Sequence, residues 1–404
     1  MSAGVDSFRT TARRWLEGNA PRLADGEPAH RWDLTSARAF QARLHDAGLA
    51  GISWPAAYGG QGLTAADERA FDEEARDFEL PYGFFAIGLG MCGPTLLDLG
   101  SEQLKQRYIR PLLRGEEIWC QLFSEPGAGS DVAGLQTRAV PDGDGWVVTG
   151  QKVWTSRAED ADRGAVIART NPDVPKHDGI TMLVVDMHAR GVTVRPLRDM
   201  TGGATFNEVF FDEVRVPAGH VVGEVDSGWA AAVRMLMHER VSIGGRTRGR
   251  TSATAFDSLV EAVRARGLDR DAVVRQRLAE LYVRERLVHL FGSRLAQEAK
   301  AGRNPGSRGS VGKLAGAQLA HFSAGVAAEL LGGDAIAWDR ADHDAGRWAG
   351  ALLSAPAGAI AGGTNEIQRN IIGDRVLGLP REPHVDRDVP FRELRTGTRK
   401  EARR

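Results

Sequence analysis

Between Trp119 and Val216 the chain abandons helical periodicity for short β-rich runs, and this interruption restricts the available folds more than any other feature. Five runs stand out, at 146–154, 164–168, 180–185, 192–197 and 207–216, separated by loops rich in Gly, Asp and Pro. That many short strands within ~100 residues predict a compact β-domain of barrel or sandwich type. On both sides the pattern is helical. Upstream, 37–47 and 65–78 carry apolar residues at three- and four-residue spacing, and 101–113 reads as a helix that Pro111 ends. Between the first two lies Trp54-Pro55-Ala56-Ala57-Tyr58-Gly59-Gly60, an ordered loop by its proline and paired glycines. Downstream, Ala-, Leu- and Arg-rich helices return from Asp226 to about Val376, with 302–308 as a loop between them. The predicted fold class is α+β, in the order α, β, α. Its expected divisions are 1–117, 118–224 and 225–383, with a polar, basic tail at 384–404.

Composition narrows the function classes. A chain of 404 residues with 42% hydrophobic and 26% charged residues suits a soluble globular protein with a large core. A formal net charge of -1 argues against nucleic acid or an acidic membrane as the main partner, and it fits self-association. Cys92 and Cys120 are too few for a disulfide framework and suit a reducing compartment. The N-terminus has no apolar core of signal-peptide length, and no apolar run is expected to approach a membrane span. The expected location is cytoplasmic.

Within the returning helices, 226–243 reads DSGWAAAVRMLMHERVSI, an amphipathic segment with one charge where an apolar residue belongs. Ala232, Met235, Leu236 and Ile243 share a face by helical spacing, and Glu239 falls in the middle of it. A carboxylate set among alkyl groups holds its proton more tightly than in water and can serve as a proton acceptor. A paired core or interface Glu would satisfy the same pattern.

Three further stretches offer polar chemistry. QLFSEPGAGSD at 121–131 is kept non-helical by Pro126, Gly127 and Gly129, leaves backbone N–H groups free, and adds the hydroxyls of Ser124 and Ser130. Such a loop suits the polar atoms of a planar heterocycle or a thioester carbonyl, although Gly-rich loops are often plain turns. Lys152-Val153-Trp154-Thr155-Ser156 closes a strand whose hydroxyls can meet a ring nitrogen while Trp154 packs on the ring; Trp154 could equally be a core residue. Thr364, in GGTNEIQR at 362–369, reads as a helix N-cap at an anion-favouring terminus, or as the cap of an ordinary helix. No metal-ligand spacing, Walker loop or G-x-S-x-G elbow is found.

Several motifs in order resemble the acyl-CoA dehydrogenase family along essentially the whole chain. They are WPAAYGG at 54–60, SEQLKQRYIRPLLRGE at 101–116, FSEPGAGSD at 123–131, GQKVWTS at 150–156, FFDEVRVP at 210–217, ELLGGD at 329–334 and GTNEIQRNIIGDRVLGLP at 363–380. The resemblance implies an N-terminal helical domain, a middle β-domain and a C-terminal four-helix bundle, assembled as dimers or tetramers. It implies FAD held between the β-domain and the bundle. By position, Phe123 and Ser124 match residues at the flavin pyrimidine edge, and Trp154, Thr155 and Ser156 match those at the ring and its N5. Ser130 matches a residue near the acyl-CoA thioester arm, and Thr364 and Glu366 match a pair at the adenosine end. The implied reaction is α,β-dehydrogenation of an acyl-CoA, with an electron-transfer flavoprotein as acceptor.

Two departures from the family pattern matter. The usual base position, just before the Gly-Thr of the C-terminal motif, is Gly362. A minority of members, including isovaleryl-, long-chain- and actinobacterial steroid-CoA-type enzymes, carry the base on the first long helix of the C-terminal domain, directly before an Arg; Glu239-Arg240 matches that placement. The family's Arg-x-x-Phe-Gly signature, whose Arg reaches the FAD pyrophosphate, is missing from 262–277, and Glu329 replaces the usual Gln before Leu-Gly-Gly. A carboxylate near a pyrophosphate is repulsive. Arg246, Arg248 or Arg250 could compensate, or another chain could supply that half of the site, as in α2β2 heterotetrameric members. The expected activity is dehydrogenation of a bulky or branched acyl-CoA with Glu239 as base. An oxidase or monooxygenase of the same fold on a non-CoA substrate, and a subunit with an incomplete flavin site, stand as alternatives.

Overall fold

A computed structural model describes residues 3–23, 32–245, 252–301, 303, 306–335, 337, 343–381, 383 and 386–394. It divides into two compact units, 1–198 with 204–249 and 384–404, and 199–203 with 250–383.

The first unit opens with helices α1 (Ala3–Asn19), α2 (Leu34–Asp46), α3 (Ala65–Glu74), α4 (Tyr82–Ile87), α5 (Gly93–Leu99) and α6 (Glu102–Leu113). Asp33 caps α2 by accepting from the Ser36 N–H at 2.7 Å, and Thr64 caps α3. Pro111 does not end α6. It sits in the last turn, where losing one N–H is tolerable, and the helix runs on to Leu113. The 54–60 loop folds as a 3-10 turn over Ala56–Tyr58, closed by Gly59 at φ +94°.

Eight strands follow: β1 (Trp119–Leu122), β2 (Arg138–Asp142), β3 (Gly145–Ser156), β4 (Arg163–Arg169), β5 (Ile180–Asp186), β6 (Val192–Leu197), β7 (Phe206–Pro217) and β8 (Val221–Val222). They form one sheet in the order β6-β7-β3-β2-β4-β5-β8, with β1 pairing β4 in parallel. The five predicted runs are β3 to β7. β1, β2 and β8 were not predicted, being short or, in β2, mostly exposed with one buried residue. Fully buried strands such as Ile180–Asp186 carry nearly continuous apolar runs, as sheets covered on both faces require. Helix α7 (Gly228–Gly245) then packs into this same unit, with Ala231, Ala232 and Met235 in one apolar cluster with Ile180 and Met182 of β5. Its entry is tight: a Cβ on Gly228 would lie 2.6 Å from backbone atoms of Thr181 and Met182.

The second unit contains α8 (Phe256–Ala265), α9 (Ala272–Lys300), α10 (Gly309–Leu331), α11 (His343–Gly358) and α12 (Asn365–Ile371). Leu259, Val263, Leu281, Val326, Ala327 and Trp348 form its core.

One expectation about apolar runs is corrected. Tyr82–Leu99 is long and apolar enough, by length and composition, to cross a membrane. Here it is one helical run, α4 and α5 joined through a π-helical turn at Gly88–Cys92, and Phe85, Met91, Cys92 and Leu96 are buried in the fold. Cys92 and Cys120 are both free and buried, and burial pushes both thiols up. Neither is therefore expected to react with a water-soluble disulfide reagent at pH 8 until the chain is unfolded. Thiol titration with and without denaturant measures this, and a native-state equivalent of modified Cys would contradict the packing.

Candidate active site

The FSEPGAGSD loop is held by a buried ion pair that the sequence reading did not single out. Lys152, on β3, is fully buried, and its Nζ donates to Glu125 Oε1 at 2.8 Å and to the Phe123 carbonyl at 3.0 Å. Glu125 in turn accepts from the N–H groups of Gln136 (2.6 Å) and Thr137 (2.9 Å). One carboxylate thus fastens both ends of the loop. Burial opposes ionisation of Glu125, but the Lys152 ammonium and these donors outweigh it and hold its carboxyl below the usual range. The loop's amides are less free than its glycines imply, because Glu125 and Ala128 exchange both backbone hydrogen bonds at 3.0 Å.

The two predicted flavin-facing stretches are brought together. The Val153 N–H donates to the Ser124 carbonyl at 2.9 Å, which sets Phe123 and Ser124 beside Trp154, Thr155 and Ser156. A bulge between Lys152 and Thr155 in the β3–β7 pairing puts Trp154 at φ +60°. The indole is therefore turned outward, 56% exposed, and meets Phe206 edge-on at 5.8 Å. Trp154 is not a core residue. Thr155, next in the strand, is buried, and its Oγ1 finds no hydrogen-bond partner among the described residues. An exposed ring beside an unmatched buried hydroxyl fits a planar heterocycle that stacks on one and bonds the other.

Glu239 lies where its helical spacing predicts. It is 9% exposed, on the face of α7 that carries fully buried Ala232 and Met235. Phe123 and Ala128 belong to the same apolar cluster as Ala232 and Met235, so the loop and the helix face share one core. His238 bonds Asp98 of α5 at 2.9 Å and holds the outer side of the helix. The side chain of Arg240, and Arg246, Arg248 and Arg250 altogether, lie outside the described residues. Ser130 is exposed, next to Asp131, whose carboxylate meets Lys176 at 3.0 Å.

The remaining predicted residues belong to the second unit. Thr364 is an N-cap, accepting from the Ile367 N–H at 3.2 Å, and Glu366 is exposed and paired with Arg369 at 2.9 Å. The turn before them is locked by buried Gln368, whose Nε2 donates to the carbonyls of Gly362 (2.9 Å) and Gly363 (3.2 Å). Both glycines adopt positive φ. Glu329, expected to repel a pyrophosphate, is matched by Arg277 at 2.8 Å, which cancels much of its charge.

Comparison with known proteins follows the same lines. Models of the acyl-CoA dehydrogenase N-terminal, middle and C-terminal domains match residues 3–116, 120–214 and 226–377. "Acyl-CoA dehydrogenase IpdE1" of Mycobacterium tuberculosis is 37% identical over 386 residues, 94% of this chain and 98% of that protein. "Acyl-CoA dehydrogenase FadE34" of the same organism is 39% identical over 342 residues, 84% of this chain; the match spans 46% of that longer protein. Among solved structures, "Tcur3481-Tcur3483 steroid ACAD" superposes with a TM-score of 0.77 at 28% identity, over 95% of this chain and 99% of that one. The ChsE4-ChsE5 complex from Mycobacterium tuberculosis gives 0.74 at 29%, over 94% and 99%. The chain belongs to the acyl-CoA dehydrogenase family, FAD-dependent oxidoreductases acting on CH–CH bonds.

Proposed function

We propose that this dehydrogenase acts on a bulky or branched acyl-CoA thioester, with Glu239 removing the α-proton. The observation that carries the reading is a buried carboxylate on the apolar face of α7, in a chain whose usual base position is Gly362. The α-C–H of a thioester is too weak an acid to lose its proton to water, so a positioned base in a dry setting is required. FAD, when bound, would supply the acceptor for the β-hydrogen as hydride. Trp154, Thr155 and Ser156 would hold its ring and N5 side, Phe123 and Ser124 its pyrimidine edge, and Thr364 and Glu366 its adenosine end. Ser130 would serve the thioester arm, and Arg240 the bound substrate. Gly362 contributes no side chain, which favours a large acyl group, and a solved relative is titled a steroid ACAD. Electrons then pass to an electron-transfer flavoprotein.

A second reading concerns assembly. A solved relative is a complex of two differently named chains, ChsE4 and ChsE5. On α9, Val283, Leu287 and Leu290 recur at i, i+4 and i+7 and are 52%, 62% and 49% exposed, an apolar row suited to another subunit. We read the chain as one subunit of an oligomer, either homomeric or α2β2.

An anaerobic bleaching screen over short-chain, long-chain and steroid side-chain CoA esters tests the substrate class. Steroid or branched esters are expected to reduce the flavin fastest. Bleaching by none of the esters, with rapid reaction of the reduced flavin with oxygen, would point instead to an oxidase on a non-CoA substrate.

A further inference from the structure

Beyond the residues matched by the family's C-terminal domain model, which end at 377, the chain returns to the first unit and lies across it. The contacts of this strap, 386–394, converge on one loop, 170–179, between β4 and β5. The Phe391 N–H donates to the Val174 carbonyl at 2.9 Å, and the Arg392 N–H to the Pro172 carbonyl at 3.0 Å. Pro390 and Pro175 form an isolated β-bridge, and Arg392 pairs with Asp173. The Phe391 ring is buried against the Arg169 guanidinium, 3.8 Å from its centroid.

The partners of that loop are the candidate active-site segments. Arg169 donates from Nη1 to the Lys176 carbonyl and from Nη2 to the Ala133 carbonyl, both at 2.6 Å, so the guanidinium covered by Phe391 fixes the turn that ends the FSEPGAGSD stretch. Lys176 Nζ bridges Asp386 of the strap (2.9 Å) and Asp131, the residue after Ser130 (3.0 Å). At the loop's other side, Thr170 donates to Asp226 at 2.5 Å, and His177 meets Trp229 edge-on at 4.8 Å. Trp229 is in the first turn of α7, the helix that carries Glu239, and Asp226 lies two residues before it.

We propose that the strap at 386–394 is a positioning element for acyl-CoA binding, in which Phe391 and Asp386, through Arg169 and Lys176, hold the 126–134 loop in place. This rests on the proposed function, which puts Ser130 at the thioester arm. The bridge works through single atoms. Removing Asp386 leaves Lys176 with one carboxylate, and removing Phe391 opens the face of Arg169 to water. The strap's hydrogen bonds and ring contact go to the 170–179 loop and to Arg169, none of them assigned to the flavin, so flavin retention and the chemical step are expected to be left alone.

The test compares full-length, FAD-loaded wild type with Phe391→Ala, Asp386→Asn and Lys176→Met. Hydrogen exchange of the 127–134 amides is expected to quicken by about fivefold or more in each variant, with FAD content unchanged. With a CoA ester that reduces wild type, KM should rise about tenfold while kcat stays within about twofold. Asp386→Asn combined with Lys176→Met should be no worse than Lys176→Met alone, because both break one bridge. Asp386→Asn and Lys176→Met remove half-buried charges and no core side chain, so they decide the matter even if Phe391→Ala does not fold. Unchanged exchange in these two variants overturns the strap, and faster exchange with unchanged KM overturns its positioning role. A wild type that no CoA ester reduces sinks the functional reading instead, and the exchange result still decides whether the strap holds the loop.

Discussion

Replacing Lys152 by Met is expected to destabilise the chain by about 3–5 kcal/mol at pH 7 and to strip it of FAD, although Lys152 is not among the residues assigned to the cofactor. Its ammonium is fully buried, so its worth cannot be judged as that of a surface pair. Removing it leaves the Glu125 carboxylate, itself buried, without its cation, and releases the Phe123 carbonyl at the edge of the flavin loop. Removing both charges is less damaging than removing one, so Lys152→Met with Glu125→Gln should regain part of the lost stability. The pH dependence has a definite sign. The carboxyl of Glu125 is held below its unfolded range, so its contribution is present above that range and is lost as pH falls through the lower folded value. In Lys152→Met the carboxylate has lost the partner that keeps it ionised, and it protonates more readily. The deficit against wild type should therefore narrow between pH 7 and pH 5. Urea unfolding at the two pH values, with flavin absorbance after gel filtration, measures both effects. A Lys152→Met protein as stable and as yellow as wild type would remove the pair from the account of how the loop is held.

The fold was legible where patterns are local. Short β-rich runs over β3 to β7 and helical spacing on either side gave the α, β, α order, and the same spacing placed Glu239 on the buried face of α7. β2 escaped because only Ala139 among its five residues is buried, which leaves no alternation to read. Trp154 was ambiguous for a different reason. An aromatic in a strand reads as core unless a bulge turns it over, and the bulge depends on pairing with β7, some fifty residues away in the chain. The Lys152–Glu125 pair carried no local signal, because its partnership exists only once β3 lies beside the loop. Pro111 illustrates the reverse error, since a proline in a last turn costs one hydrogen bond and not the helix. The strap carried no signal at all. Asp386, Asp388 and Glu393 alternate with Arg387 and Arg392 around Phe391 without a periodic apolar pattern, and what covers Phe391 is the cationic face of Arg169, contributed by β4.

Glu239→Gln is expected to slow substrate-driven flavin reduction by about 10³-fold, the scale of a lost general base. Gln keeps the size of Glu and can still hydrogen-bond, but it cannot take a proton, so helix packing on Ala232 and Met235 should persist. FAD content and CoA-ester affinity should stay near wild type, because the substitution removes an interaction made in the transition state and not in the ground state. If Glu239 were instead only a buried structural partner, the losses would fall on stability and flavin retention, with the remaining holoenzyme still reducing at its normal rate. Anaerobic rapid mixing of FAD-loaded Glu239→Gln with a CoA ester that bleaches wild type separates the two. The predicted result is a bound substrate and a flavin that stays yellow on the wild-type timescale; bleaching at the wild-type rate would contradict the assignment of Glu239 as the base.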